Sequence, residues 1–259
     1  MKVFYKSKDS FSYDIKGGPA YFNGCEPEYE KFLLNYIKTS YNEIHDFIVE
    51  KGDDPFVHEL EIMDKINENA DGYFDFNKAI LDIGAFIGQY SWYTKFKYVY
   101  AVEPNKVRWT MLNMNLLIND KIENSQTFNI LLSDKVENVN YDGFHTELTD
   151  QPNDFLYNSK TWQNKNYRSV RSHLLDELNL SNIGFIKIDV EGMEEKVLRG
   201  GVGTIVRNNY PPILFELWNV GFYNMTQEKY DSLKNFLESL GYEILWKWGD
   251  HNTHLAIHK

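Results

Sequence analysis

The sequence predicts an α/β fold: a doubly wound, mostly parallel Rossmann-like sheet with a C-terminal antiparallel hairpin and an N-terminal helical extension. Three observations point to it. Ile80-Leu81-Asp82-Ile83-Gly84-Ala85-Phe86-Ile87-Gly88 reads as an apolar strand ending in an acid and a glycine turn. Val99-Tyr100-Ala101-Val102-Glu103-Pro104-Asn105 reads as a second strand tipped by a carboxylate. Ile183 to Gly200 repeats the theme with a buried apolar run, the carboxylates Asp189 and Glu191, a glycine and an amphipathic helix.

From the N-terminus, residues 1–24 mix Tyr, Phe, Gly and Lys without a helical period. Phe32, Leu33, Tyr36, Ile37, Tyr41, Ile44, Phe47 and Ile48 return at helical spacing between Pro27 and Glu50. A second helix begins near Asp54-Pro55 and uses Val57, Leu60, Met63 and Ile66. Residues 1–54 are therefore assigned to an extension and 55–259 to the main domain. A helix follows over Lys106–Ile118, and Phe128 to Asp134 reads as a third strand with an acid at its end.

Lys135 to Arg168 is a polar, aromatic insert containing His145 and Trp162; a long irregular stretch of this kind suits an acceptor-binding loop. Ser172 to Leu180 reads as a short helix, and Gly200-Gly201 stops the helix before it. Pro211 to Leu217 is a strand bearing Glu216. Thr226 starts a helix that uses Leu233, Phe236, Leu237 and Leu240 and closes at Gly241. Tyr242–Trp248 and Thr253–Ile257 form the terminal hairpin.

The 259 residues are 42% apolar and 25% charged, ordinary for a globular chain. A formal charge of −11 gives no electrostatic footprint for nucleic acid or an anionic membrane, so neither is expected as a partner. Cys25 is the single cysteine, which rules out an intramolecular disulfide or a cysteine zinc site and fits a reducing compartment. No secretory h-region or membrane-length apolar run is present, so a cytoplasmic location without membrane insertion is expected.

Two ligands compete for the Ile80–Asn105 unit. A dinucleotide favours G-x-G-x-x-G, where the pyrophosphate rests on a helix N-terminus. Here Ala85 and Phe86 replace the middle glycine, and Asp82 precedes the turn, where it repels a phosphate. An acid there suits a ligand with a cationic end, such as S-adenosylmethionine (SAM).

The chain resembles the FkbM family of class I SAM-dependent methyltransferases. The resemblance rests on Leu81-Asp82-Ile83-Gly84-Ala85-Phe86-Ile87-Gly88, Ala101-Val102-Glu103-Pro104-Asn105, Ile186-Lys187-Ile188-Asp189-Val190-Glu191-Gly192-Met193-Glu194 with Val197-Leu198-Arg199-Gly200, and Pro212-Ile213-Leu214-Phe215-Glu216. It extends from about Asp54 to Lys259. It implies Asp82, Gly84, Ala85 and Gly88 beside the methionine end of SAM, and Glu103 on the ribose hydroxyls with Asn105 beside it. It also implies Ser133 and Asp134 near the adenine and Asp189 close to the transferable methyl. The family's members are similar in being O-methyltransferases of sugars, glycans or secondary metabolites.

Methyl transfer to a hydroxyl needs the acceptor proton removed, by a positioned base or by a divalent metal that lowers the hydroxyl pKa. Asp189, Glu191 and Glu216 are the candidate carboxylates, and Asp189 and Glu191 share a side if the strand stays regular that far. His145 in the insert and His254 on the hairpin are further candidate bases. Asp189 with Glu216 or Asn219 offers hard oxygen ligands to Mg²⁺ as the alternative. A sugar, nucleotide-activated or in a surface glycan, is the expected acceptor; an O-methyltransferase of a secondary metabolite and a non-catalytic SAM-fold binding protein are the competing readings.

Overall fold

A computed structural model of the chain describes residues 55–141, 168–221, 225–250 and 252–259. The expected helix between Pro27 and Glu50 and most of the polar insert, with His145 and Trp162, lie outside the described residues. In chain order the elements are α1 (Pro55–Glu68), β1 (Ala79–Ile83), α2 (Gln89–Tyr93), β2 (Tyr98–Val102), α3 (Lys106–Ile118), β3 (Ser125–Phe128), β4 (Leu131–Leu132) and β5 (Asn138–Tyr141). Then come β6 (Arg168–His173), β7 (Ile183–Ile188), α4 (Glu194–Arg199), α5 (Val202–Arg207), β8 (Ile213–Glu216), α6 (Gln227–Ser239), β9 (Tyr242–Leu245) and β10 (Thr253–His258).

Seven strands form one sheet in the order β3-β2-β1-β7-β8-β10-β9. From β3 to β8 all neighbours are parallel; β10 runs antiparallel to both β8 and β9. Both central strands, β1 and β7, are buried along their whole length, which is why their charged residues are only Asp82 and Lys187. Alternate residues feed two cores. Ile80, Phe185 and Leu214 pack with Met63 and Ile66 of α1 and Leu112 of α3, whereas Leu81, Ile186 and Phe215 pack with Leu198 of α4 and Leu237 of α6. The winding direction reverses between β1 and β7, which puts the ligand crevice of a doubly wound sheet at the carboxyl ends of these two strands.

The expected fold class, the central strands, α3, α6 and the terminal hairpin match the structure. Four local expectations are corrected. The third strand of the main sheet is the polar segment Ser125–Phe128. Leu131–Leu132 leaves the main sheet and pairs with Ser172–His173 in a small sheet, β4-β6-β5. Ser172 and His173 are thus strand, and only Leu175–Leu178 is helical, as a 3-10 turn. A further helix, α5, follows directly on Gly200-Gly201, with Asp176 accepting hydrogen bonds from the Gly203 and Thr204 N–H groups at its start.

Candidate active site

The turn after β1 is clamped between its neighbours. The N–H groups of Gly84 and Ala85 both donate to the Val102 carbonyl of β2, and the Asp189 N–H donates to the Ile83 carbonyl. Gly84 has φ +72°, and an added Cβ would overlap the Asp189 carbonyl oxygen, so only glycine lets the turn lie against the end of β7. Gly88, at φ +89°, opens α2.

Glu103, just past the end of β2, is buried and faces the same turn. Its Oε2 accepts from the Phe86 N–H (3.0 Å) and its Oε1 from the Asn105 N–H (2.8 Å). Burial pushes its carboxyl up to about 7 despite the Arg108 charge and these two donors. Asn105 Oδ1 accepts from the Arg108 N–H in the first turn of α3 (3.2 Å), so its side chain caps that helix. Ser133 and Asp134 follow β4; Ser133 Oγ donates to Asp134 Oδ1 (3.2 Å), and an added Cβ at Gly200 would overlap the Ser133 carbonyl.

A buried charge cluster lies between β1 and β7. Asp82 and Lys187 are register partners on the two strands. Asp82 Oδ2 accepts from Ser91 Oγ (2.6 Å), while Oδ1 has no hydrogen-bond partner and lies 3.7 Å from Lys187 Nζ. Lys187 Nζ donates to the Gly84 carbonyl (3.0 Å) and lies 3.5 Å from Asp189 Oδ2. Burial opposes the lysine charge, but Asp189, Asp82, Glu59 and Glu216 outweigh it and hold the ammonium above the usual lysine range.

Beside this cluster is a cavity of about 310 Å³, lined by Glu59, Tyr90, Lys187, Asp189, Glu216 and Trp218, with Asp250 and Asn252 at the hairpin turn. Burial, reinforced by Asp189, Glu191 and Glu194, raises the Glu216 carboxyl well above the carboxylate range. Burial pushes Glu59 up to about 8, with Lys187 opposing and Asp189 and Asp82 adding to the rise. At about 8 the Glu59 carboxyl favours its protonated form at neutral pH, and Glu216 is shifted in the same direction.

The remaining predicted residues are placed as follows. β7 ends at Ile188 and Glu191 has φ +55°, so strand alternation does not put Glu191 on the side of Asp189. Glu194 opens the helix that follows, and its Oε1 accepts from the Val190 (2.9 Å) and Gly192 (3.2 Å) N–H groups. His254 is buried; Nδ1 accepts from the Lys247 N–H (2.8 Å) and Nε2 donates to the Leu217 carbonyl (3.2 Å). Both ring nitrogens are engaged, and burial lowers its pKa, so it is a packing histidine and not the base.

The donor set does not fit the Mg²⁺ alternative. The Lys187 ammonium supplies the positive charge between Asp82 and Asp189, and no metal-binding group of His, Cys, Asp and Glu side chains forms among the described residues. Sequence reasoning missed Glu59, Tyr90 and Asp250. For Glu59 a signal existed: it precedes Ile62 and Met63 by one helical turn, which puts a carboxylate on the buried stripe of α1.

A model of the methyltransferase FkbM domain matches residues 82–244, more than half of the chain. The chain belongs to the FkbM methyltransferase family. Among solved structures it is similar to the methyltransferase FkbM from Methylobacillus flagellatus, 18% identical with a TM-score of 0.49 over 71% of this chain. The match spans only 44% of the length of that protein. It is also similar to the O-methyltransferase from Bacillus cereus in complex with SAH, at 11% identity and a TM-score of 0.47, covering 94% of this chain and 97% of that one. A third is the TehB-like SAM-dependent methyltransferase from Corynebacterium glutamicum, at 11% identity and a TM-score of 0.45, covering 86% and 98%. No curated protein matches the chain. No helix among the described residues is long and apolar enough to cross a membrane.

Proposed function

We propose that this FkbM-family chain transfers the methyl group of SAM to a hydroxyl of a sugar, nucleotide-activated or part of a surface glycan. One arrangement carries the cofactor part of this reading. Glu103 has both carboxyl oxygens oriented by backbone N–H groups beside the Gly84–Gly88 turn, a geometry matched to a ribose diol. Asp82, Gly84, Ala85 and Gly88 then take the methionine end, with Asn105, Ser133 and Asp134 towards the nucleoside. Trp218 in the adjoining cavity supports a sugar acceptor, since an indole packs well on a pyranose face.

SAM supplies a methyl group on a sulfonium sulfur, so the S–C bond breaks as the O–C bond forms and sulfur keeps the electron pair. The side chains hold the partners in line and exclude water, which lowers the entropic part of the barrier. Asp189 receives the acceptor hydroxyl proton, and Lys187, 3.5 Å away, keeps its carboxylate oriented. Glu216, raised well above the carboxylate range by burial and its acidic neighbours, lines the acceptor cavity and is not assigned as the base.

The test pairs calorimetric titration of SAH with an SAH-release assay on pooled sugars and nucleotide sugars. Glu103→Ala is expected to abolish SAH binding. Asp189→Asn is expected to keep SAH affinity and lower kcat by about 100-fold or more, the usual scale for a lost general base. Methyl transfer at the wild-type rate by Asp189→Asn would remove Asp189 from the chemistry.

A further inference from the structure

We propose that the acceptor carries a protonated amino group seated between Glu59 and Glu216, with the hydroxyl to be methylated turned towards Asp189. The substrate class is an amino sugar or a similarly sized hydroxy-amine. This rests on the methyl-transfer reading above and specifies its acceptor.

The reason lies in which charges around the cavity already have partners. Lys187 is committed to the Gly84 carbonyl, Asp189 and Asp82. Asp250 is committed to its own turn, where Oδ1 accepts from the Asn252 and Thr253 N–H groups (both 2.8 Å). Glu59 and Glu216 line the same cavity without an ion pair or hydrogen bond to any described residue, and Glu59 Oε2 is fully enclosed with no partner.

Two carboxyls partly withdrawn from water are poorly placed as anions when the one cation acting on them, Lys187, already serves Gly84, Asp82 and Asp189, and both are shifted upward. A neutral hydroxyl can hydrogen-bond to either carboxyl but brings no positive charge to balance its ionised form. An ammonium favours the ionised form of both carboxyls at low dielectric and offers N–H donors to each. A volume of about 310 Å³ suits one monosaccharide-sized ligand and not a folded segment of another protein. Still protonated, the nitrogen has no lone pair and serves as anchor; the methyl goes to the neighbouring hydroxyl oxygen, whose proton passes to Asp189.

The experiment begins with calorimetry of SAH on the wild type, Glu59→Gln and Glu216→Gln. NMR titrations of the SAH-loaded proteins at pH 7 follow, with glucosamine, galactosamine and mannosamine each set against its parent hexose and its N-acetyl derivative. At least one amine is expected to bind about tenfold or more tightly than both neutral counterparts, the scale of one charge-assisted contact. Each substitution is expected to erase that margin while leaving SAH affinity intact, which also reports a preserved fold. The proposal is overturned if the neutral sugars bind as well as the amines, if the margin survives both substitutions, or if no amine in the panel binds. Failure of SAH to bind the wild type is a different result: it removes the cofactor reading itself, and this proposal with it.

Discussion

At the scale of single residues, Glu103 concentrates the testable physics. Its carboxyl is pushed up to about 7 by burial, yet its proposed role is to accept hydrogen bonds from two ribose hydroxyls, which favours the ionised form. Ligand and proton therefore compete. SAH affinity of the wild type is expected to rise between pH 6 and pH 8 and then level off. Glu103→Gln should bind more weakly by about 10- to 100-fold at pH 8, roughly 1–3 kcal/mol, with little pH dependence. Titrations across that range check this, and a wild type with flat affinity would sever Glu103 from the ribose. Asp82, Glu103 and Asp189 were legible in the sequence because each ends an apolar strand, a position readable without knowing the neighbours. Glu59 was not singled out, because its weight arises only when α1 docks beside Lys187 and Asp189, far away in sequence. The upward shift of the Glu216 carboxyl was equally hidden, since it is a product of burial and of the surrounding acids.

At the scale of elements, the glycine turn between β1 and α2 separates backbone strain from steric contact. Gly72 and Gly84 share φ +72°, but an added Cβ at Gly72 has nothing within 4 Å, whereas at Gly84 it would overlap the Asp189 carbonyl. Gly72→Ala is expected to cost about 1 kcal/mol, the left-handed backbone penalty alone. Gly84→Ala should cost about 3 kcal/mol or more and weaken SAH binding as well, because the relief of the overlap displaces the end of β7. Urea unfolding of both variants measures the difference; equal costs would mean the turn does not press on Asp189. Elements with local signals were the legible ones: α3 has the bounds its sequence predicts, and α6 starts at its Thr226 cap, whose Oγ1 accepts from the Lys229 N–H. The misread elements depend on distant partners. Ser125-Gln126-Thr127-Phe128 is polar because it is the sheet edge, so it lacked the apolar run that marks a central strand. The apolar pair Leu131-Leu132 finds its partner in β6, and α5 takes its N-terminal acceptor from Asp176, so neither was readable from its own neighbourhood.

At the scale of the whole molecule, the acids gathered on the carboxyl edge of the sheet set how stability responds to pH. Glu59 is raised to about 8, Glu103 and Glu194 to about 7, and Asp82 and Glu216 are raised as well, all chiefly by burial. A carboxyl whose folded pKa lies above its unfolded value stabilises the fold fully below the unfolded value and loses that contribution as pH rises through the folded one. The window therefore opens near the ordinary carboxylate value of 4.5 and closes near 8. Each unit of upward shift within it corresponds to about 1.4 kcal/mol before solvent relaxation is allowed for. His254, lowered by burial, acts in the opposite sense but is a single group. The ligand-free protein is thus expected to show a falling Tm from pH 5.5 to pH 8, with a shallower fall in Glu59→Gln and Glu216→Gln, which no longer titrate at those positions. SAM, whose sulfonium and ammonium bring positive charge to this edge, should recover more Tm at pH 8 than at pH 6. Differential scanning calorimetry at matched ionic strength tests all three statements. A Tm that rises through this range would mean that the acids are hydrated in solution, and that the crevice holds its charge without needing a cation to balance it.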